Sequence, residues 1–371
     1  MPEVDSADVC VRCGSCLKAC HMFLTDSEAH HAASLKAREL RKIENADLEG
    51  EYQKYYTYAF ECTGCRRCTI HCPFSVETAS YVSRARGILT SAGKRPSSLH
   101  DLAETQIAKG KRWEKHLQMF RLSIEMLEKQ HNVKIPVQES ADILYVPLQG
   151  AHTIVPAAKI FNSVGESWTL SIFEASVFAF FLGDMERARQ TVERIKNEAE
   201  RVGAREIVIT ECGHAYRVYK FLFPRWFGRD FKIRSVVEVV AEYIKKGDIS
   251  PKSAIKEPLT YHDPCQAARN GGLIEEPRFI LHQISDDFRE MKPSRELNFC
   301  CGGGGGLVAV PELAEVRLKS GKIKTEQIKS TGATLVSTIC ENCKTQLKDL
   351  KKHYGMNYRV VGVIDLVAEC I

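Results

Sequence analysis

Cys10, Cys13, Cys16 and Cys20 stand in the spacing C-x2-C-x2-C-x3-C, and Cys62, Cys65, Cys68 and Cys72 repeat it with Pro73 directly behind. Four thiolates within one turn-rich loop are the geometry that wraps a [4Fe–4S] cube, and the repeated spacing is that of a two-cluster ferredoxin. In such ferredoxins the fourth cysteine of each run serves the other cluster. On that rule Cys10, Cys13, Cys16 and Cys72 hold one cube, and Cys62, Cys65, Cys68 and Cys20 hold the second. Structural zinc and disulfides are the other uses of clustered cysteines, but zinc has little use for a four-cysteine run repeated with a terminal proline. His21 and His71 flank ligand cysteines, and the cysteine sets are complete without them. The implied chemistry is electron transfer, one electron at a time.

These loops need a scaffold. The stretch from His21 to Glu61 is longer than a compact βαββαβ ferredoxin places between its runs. Ala32 to Glu44 within it is rich in strong helix formers and lacks Gly and Pro. Val76 to Leu89 also reads as helix, so helices rather than a small sheet are expected to carry the clusters. This resembles the α-helical ferredoxin domain of the iron–sulfur subunits of fumarate reductases and heterodisulfide reductases. Arg112 to His131 predicts a long helix with Leu117, Phe120, Ile124 and Leu127 on one face. Its Met119 and Met126 are expected to pack between domains.

The second half repeats itself. Ile143 to Gln149 resembles Leu259 to Cys265, Ile207 to His214 resembles Leu335 to Asn342, and Lys232 to Ile244 resembles Tyr358 to Ile371. Three matches in the same order argue for internal duplication. Short β-branched strands alternate with helical segments such as Met185 to Val202 and Glu312 to Ser330, the pattern of parallel sheets with crossover helices. The expected fold is therefore an α-helical two-cluster ferredoxin domain (1–108), a linking helix (109–140) and two pseudo-repeated, Rossmann-like α/β lobes (141–250 and 256–371). Cysteines are expected at strand C-termini, where open α/β sheets place their ligands.

A third cysteine set lies in the second lobe. Tyr261-His-Asp-Pro-Cys265, Cys300-Cys301-Gly-Gly-Gly-Gly-Gly306 and Cys340-Glu-Asn-Cys343 resemble the cysteine-rich CCG domain of heterodisulfide reductase. With the ferredoxin runs in front, the likeness extends over almost the whole chain. It takes in the catalytic heterodisulfide reductase subunit of membrane-linked type and the related subunits of sulfate-reducer membrane complexes. The iron–sulfur subunits of glycolate oxidase and anaerobic glycerol-3-phosphate dehydrogenase share the pattern. The resemblance implies that Cys265, Cys300, Cys301, Cys340 and Cys343 hold a non-cubane [4Fe–4S] cluster at which a disulfide is cleaved. Two adjacent cysteines strain an ordinary tetrahedral site but can reach separate irons of an opened cluster. Gly302, Gly303 and Gly304 allow close backbone approach and can aim amide N–H groups at sulfur charge.

The first lobe departs from the family pattern. Gln149 stands opposite Cys265, Cys212 opposite Cys340 and Ala215 opposite Cys343, while Ile172 to Phe178 has no cysteine pair. This lobe is expected to hold no cluster of its own, leaving Cys212 as a vestige or as a working thiol facing the second-lobe cluster. His214 and His262 are candidates to supply protons to a leaving thiolate. Cys370 is expected to be a buried structural thiol.

The bulk composition is that of an ordinary globular chain: 371 residues, 44% hydrophobic and 27% charged. A net charge of +5, scattered along the sequence, does not suggest nucleic acid. No apolar run approaches the roughly 20 residues of a membrane helix, and Met1 to Asp8 does not read as a signal peptide. Thiolate ligands require a reducing compartment, so a cytoplasmic protein is expected, peripheral to a membrane only through partner subunits. No GxGxxG opens a helix after a strand, so flavin or NAD is expected on another chain. The expected partners are flavin-containing, ferredoxin-like or membrane quinone/cytochrome subunits, and a small thiol/disulfide or protein disulfide is the expected substrate. The competing expectation is an electron wire with no substrate of its own.

Overall fold

The computed structural model describes residues 7–148, 150–251 and 255–371. Up to residue 131 the described chain is all-helical. Asp47 opens the helix Leu48–Phe60 by accepting the N–H of Glu49, which satisfies one of the donors a helix start leaves free. That helix buries Tyr55, Ala59 and Phe60 against Val82, Ala85 and Leu89 of the helix Thr78–Ser91. The alanines let the two backbones approach. The helix expected over 32–44 is shorter, Ala33–Leu40, and gives way to a 3-10 turn at Ile43–Asn45.

The two cysteine runs are wound alike. The residue two places after each first cysteine is left-handed, Arg12 at φ 56° and Gly64 at φ 61°. So is the residue after each second cysteine, Gly14 at φ 80° and Arg66 at φ 60°. A positive φ at the same two positions gives both loops the same alternating backbone, the kind that turns successive amides to one concave side. Glycine takes one of the two positions in each run, and the order is reversed between the runs.

Helices Ser97–Lys111 and Trp113–His131 lead to the sheets, the second ending at Asn132 in the left-handed conformation that stops a helix. Leu117, Phe120, Ile124 and Leu127 pack inward as expected. Met119 and Met126 do not pack between domains: they are 63% and 64% exposed, because the inward stripe of this helix is only as wide as the other four residues.

The first sheet is parallel, in the order β2-β1-β3-β4, with β1 Ile143–Val146, β2 Trp168–Leu170, β3 Glu206–Ile209 and β4 Lys232–Ser235. Ile143 pairs with Trp168 on one side and Glu206 on the other. β1 is buried along its whole length, which is why it reads as an unbroken apolar run. The helix Val236–Lys246 starts with a capping box between Ser235 and Glu238. A second parallel sheet runs β5-β6-β7, with β5 Leu259–Tyr261, β6 Leu335–Ser337 and β7 Arg359–Val361. The sheets share a helical interface: Val363–Glu369 packs on Ala151–Ser163, and Val236–Lys246 packs on Glu275–Ile284. No described helix is long and apolar enough to cross a membrane. Gln149 lies outside the described residues.

Candidate metal centres

The thiols of the two N-terminal runs sort into two neighbourhoods. Burial raises the pKa of Cys16, and the other thiols that raise it are those of Cys10 and Cys72. Burial pushes Cys20 up to about 12, and the thiols acting with it are Cys65 and Cys62. Cys68, raised mainly by burial, has Cys65, Cys20 and Cys62 around it. The fourth cysteine of each run thus lies beside the first cysteines of the other. Cys13 is exposed, its sulfur 3.4 Å from Ser15 Oγ, whereas Cys65 is buried. One neighbourhood reaches the surface and the other reaches inward.

What lies inward is the third cysteine set. Cys265 follows β5, Cys340 follows β6, and Cys343 sits in the first turn of the helix Glu341–His353. The loop bearing Cys300 and Cys301 completes the set. Cys265 Sγ is 4.0 Å from Cys300 Sγ, and Cys301 Sγ is 3.5 Å from Cys343 Sγ. All five are buried, none is in a disulfide, and all line one cavity with His214, His262 and Phe181. Hydrogen bonding from Cys265 lowers the pKa of Cys300 well below the thiol range, and Cys300 and Cys343 do the same for Cys301. Cys265, hydrogen-bonded to Cys300, is raised instead, as is Cys343 by Cys301. The Gly302 amide donates to Cys300 Sγ at 3.4 Å. Buried thiols that share protons and accept amides make a donor set suited to a soft, multinuclear iron site.

The glycine run explains how this loop meets the second ferredoxin run. A Cβ on Gly304 would lie 3.0 Å from Thr63 O, and one on Gly305, at φ 65°, only 2.5 Å from Cys62 O. Side chains there would hold the two cysteine loops apart. Cys65 and Cys300 are within hydrogen-bonding reach of each other. Three buried or part-buried arginines tie the seam. Arg86 donates to Cys62 O, Phe181 O and Gly305 O. Arg67 donates to Ala19 O and Leu297 O, and its guanidinium lies 3.7 Å from the centre of the Phe299 ring. Arg269 donates to Cys65 O at 2.7 Å.

His262 is fully buried, a ring nitrogen lies within 4.8 Å of the sulfurs of Cys301 and Cys343, and its Nε2 has no hydrogen-bond partner. Asn298 Nδ2 reaches its Nδ1 at 3.5 Å, so the ring proton belongs on Nε2. Burial pulls its pKa down to about 3, keeping the ring neutral. His214 is arranged differently. Its Nε2 accepts the Val177 amide at 3.1 Å, so Nδ1 carries the proton and donates it to Cys212 Sγ at 3.3 Å. Burial also takes His214 down to about 3.

Cys212 caps the helix Gly213–Phe221, and burial raises its pKa well above the thiol range, with Cys340 the next cause. A Cβ on Gly213 would lie 3.5 Å from Cys340 Sγ, so the segment after β3 abuts the five-cysteine site directly. The ion pair Glu211–Lys344, 3.0 Å and buried on both sides, joins the two sheets beside it. Cys370 is buried among apolar residues.

Two neighbours of the site carry no sequence signal of that role. His21 is buried, has no regular hydrogen bond and neighbours Cys300 and Cys65. Burial acts to lower its pKa, but those sulfurs prevail and raise it to about 9. Lys324, in the helix Lys322–Thr331, is wholly buried and places Nζ 2.5 Å from Asn298 Oδ1. Burial draws its pKa down to about 8, which leaves it an ammonium at neutral pH. A lysine in a polar amphipathic helix reads as a surface residue, and only the fold turns this one inward.

Comparison with known proteins agrees with the geometry. The profile of a 4Fe-4S dicluster domain matches residues 6–76, and that of a cysteine-rich domain (CCG) matches residues 259–348. The Hdr-like menaquinol oxidoreductase iron-sulfur subunit of Archaeoglobus profundus is 25% identical, the match covering 98% of this chain and 79% of that protein. A subunit of the dihydromethanophenazine:CoB–CoM heterodisulfide reductase of Methanosarcina mazei is 26% identical over 98% of this chain and 94% of its own. The EtfAB:quinone oxidoreductase of Syntrophomonas wolfei is 23% identical over 92% of this chain and 55% of its own. The chain thus joins a 4Fe-4S dicluster domain to a cysteine-rich CCG domain and is similar over nearly its whole length to heterodisulfide-reductase-like iron–sulfur subunits.

Proposed function

We propose that this chain is the electron-transfer subunit of a multisubunit anaerobic redox complex and that it reduces a disulfide-like substrate. In this reading Cys10, Cys13, Cys16 and Cys72 hold one cubane, and Cys62, Cys65, Cys68 and Cys20 hold the second. Cys265, Cys300, Cys301, Cys340 and Cys343 hold a third, non-cubane [4Fe–4S] cluster. The carrying observation is the seam at which Cys65 meets Cys300 and Gly305 lies against Cys62 O. Two redox loops pressed together in the interior are what short-range electron transfer requires. When bound, the clusters accept and pass single electrons.

A disulfide takes two electrons and two protons to give two thiols. His262 and His214 stand at the site as neutral hydrogen-bond donors, His262 within 4.8 Å of the Cys301 and Cys343 sulfurs and His214 Nδ1–H on Cys212, so they would stabilise thiolate charge while the two protons come from solvent. A cleft of about 580 Å³, bordered by Arg66, Arg217 and Arg225, runs to Gln266 and Gly305, which also border the cysteine cavity or its loop. It is the route by which a substrate sulfur would arrive. The partners in this reading are other redox subunits, flavin-containing, ferredoxin-like or a membrane quinone/cytochrome subunit. The chain would lie in the cytoplasm, peripheral to the membrane through them.

The same reading takes residues 1–108 as the ferredoxin domain, 109–140 as a linker, and 141–250 and 256–371 as duplicated Rossmann-like lobes. Reciprocal packing supports duplication: the helix after β7 rests on the helix after β1, and the helix after β4 on the one after β5. The burial of all five site cysteines favours the second reading, a wire with no substrate of its own. The test is stoichiometry. Anaerobically isolated protein is expected to carry about twelve irons, four per cluster. Eight would remove the third cluster, and bound zinc with little iron would overturn the reading.

A further inference from the structure

Lys324 is an anomaly in electrostatic terms. Its side chain is wholly buried, and its hydrogen-bond partners are the neutral Asn298 Oδ1 at 2.5 Å and Met291 Sδ at 3.7 Å. A buried ammonium without a counter-charge is costly. The carboxylate that acts on it most is Asp263, and that group is already engaged by Arg278 through two contacts of 2.7 and 2.8 Å and by the Arg295 amide. Met291, whose sulfur Nζ reaches, packs in one buried cluster with Cys300, Cys301 and Cys343, and those three thiols also act on Lys324. Asn298 fixes the ammonium from behind, with its own amide anchored on Asp263 O at 2.6 Å.

We propose that Lys324 is a counter-cation of the third cysteine site, a fixed positive charge held by Asn298 beside the Cys300–Cys301–Cys343 sulfurs that makes the site easier to reduce. The proposal rests on the reading of those cysteines as cluster ligands. The physical cause is simple: five thiolates carry excess negative charge in a low-dielectric interior, and adding an electron there is opposed unless a cation is close. Lys324 does not touch the substrate cavity. It acts through charge alone, as a positioning residue for the electron.

The experiment uses the full chain, isolated anaerobically, with iron analysis and a mediated redox titration followed by electron paramagnetic resonance. Lys324→Met, neutral and of similar length, is expected to keep the wild-type iron content. At a fixed potential its third-site signal should show a reduced-to-oxidised ratio about tenfold lower, a shift of about 59 mV for one electron. The signals of the two N-terminal clusters should not move, and Lys324→Arg should titrate like the wild type. An unshifted third signal in Lys324→Met, or an equal shift in Lys324→Arg, overturns the proposal. If Lys324→Met loses third-site iron, the melting temperature of the apo-protein decides: unchanged or higher supports charge pairing, lower shows a packing role and overturns it. A wild type with only eight irons would fail the underlying cluster reading instead, an outcome visible before any variant is made.

Discussion

Arg86 donates from Nη1 to the carbonyl of Gly305 at 2.8 Å, and from Nη2 to the carbonyl of Cys62 at 2.7 Å. One buried guanidinium therefore holds the second ferredoxin run and the glycine loop of the third cysteine set in fixed register. Its Nη1 also reaches Phe181 O at 2.9 Å, so the first lobe is tied into the same joint. Arg86→Met is expected to remove the donor to four backbone carbonyls, those of Ala59, Cys62, Phe181 and Gly305, and to destabilise the chain by about 3 kcal/mol or more. Gly305→Ala attacks the same joint from the other side. Its Cβ would meet Cys62 O at 2.5 Å in a backbone conformation that disfavours a side chain. In both variants denaturant unfolding should show the loss, and electron delivery from the second run to the third site should slow under rapid reduction.

Cys212 separates the two functional readings. A Cys212→Ser chain is expected to retain its full iron content but to lose disulfide reduction, since the sulfur that accepts His214 Nδ1–H is gone. If the chain is only a wire, the same variant should pass electrons from donor to acceptor at the wild-type rate. Loss of iron in this variant would make Cys212 itself a ligand and refute both.

The Glu211–Lys344 pair sits 2% and 5% exposed between the sheets. Lys344→Met should cost about 3–5 kcal/mol, because the Glu211 carboxylate is then buried with no cation. Adding Glu211→Gln removes that charge and should recover a large part of the loss. A double-mutant cycle in urea measures the coupling, and additive losses would show that the pair does not hold the sheets together.

Glu198 predisposes the first lobe to a pH dependence of its own. Burial raises its pKa to about 7 despite the hydrogen bond from Ser171 and the Ile172 amide. The folded chain therefore holds a proton that the unfolded chain has already released between about pH 4.5 and 7. Stability is greatest below the unfolded value and falls as pH rises through that window, by roughly 3 kcal/mol in all. Glu198→Gln should flatten this part of the profile of melting temperature against pH. A slope unchanged by the substitution would assign it to another group.

The cysteine runs, the CCG set and the alternation of strands and helices were legible in the chain because each is local. Ligand spacing within a loop, the unbroken apolar run of β1, and the Ser235–Glu238 capping box are settled by neighbours a few residues apart. The interior site was legible only in part. Cys265, Cys300, Cys301, Cys340 and Cys343 were named from pattern, but nothing local says that Gly305 would seat on Cys62 O or that Cys65 would meet Cys300. Met119 and Met126 show the reverse error: their type suggests burial, and only the width of the packed face left them in solvent. Lys324 and His21 are the clearest cases. A lysine among Lys, Thr and Gln, and a histidine beside a cysteine of the first run, acquire meaning from what lies across the fold. Charge and burial are sums over neighbours in space, and those neighbours come from segments hundreds of residues apart.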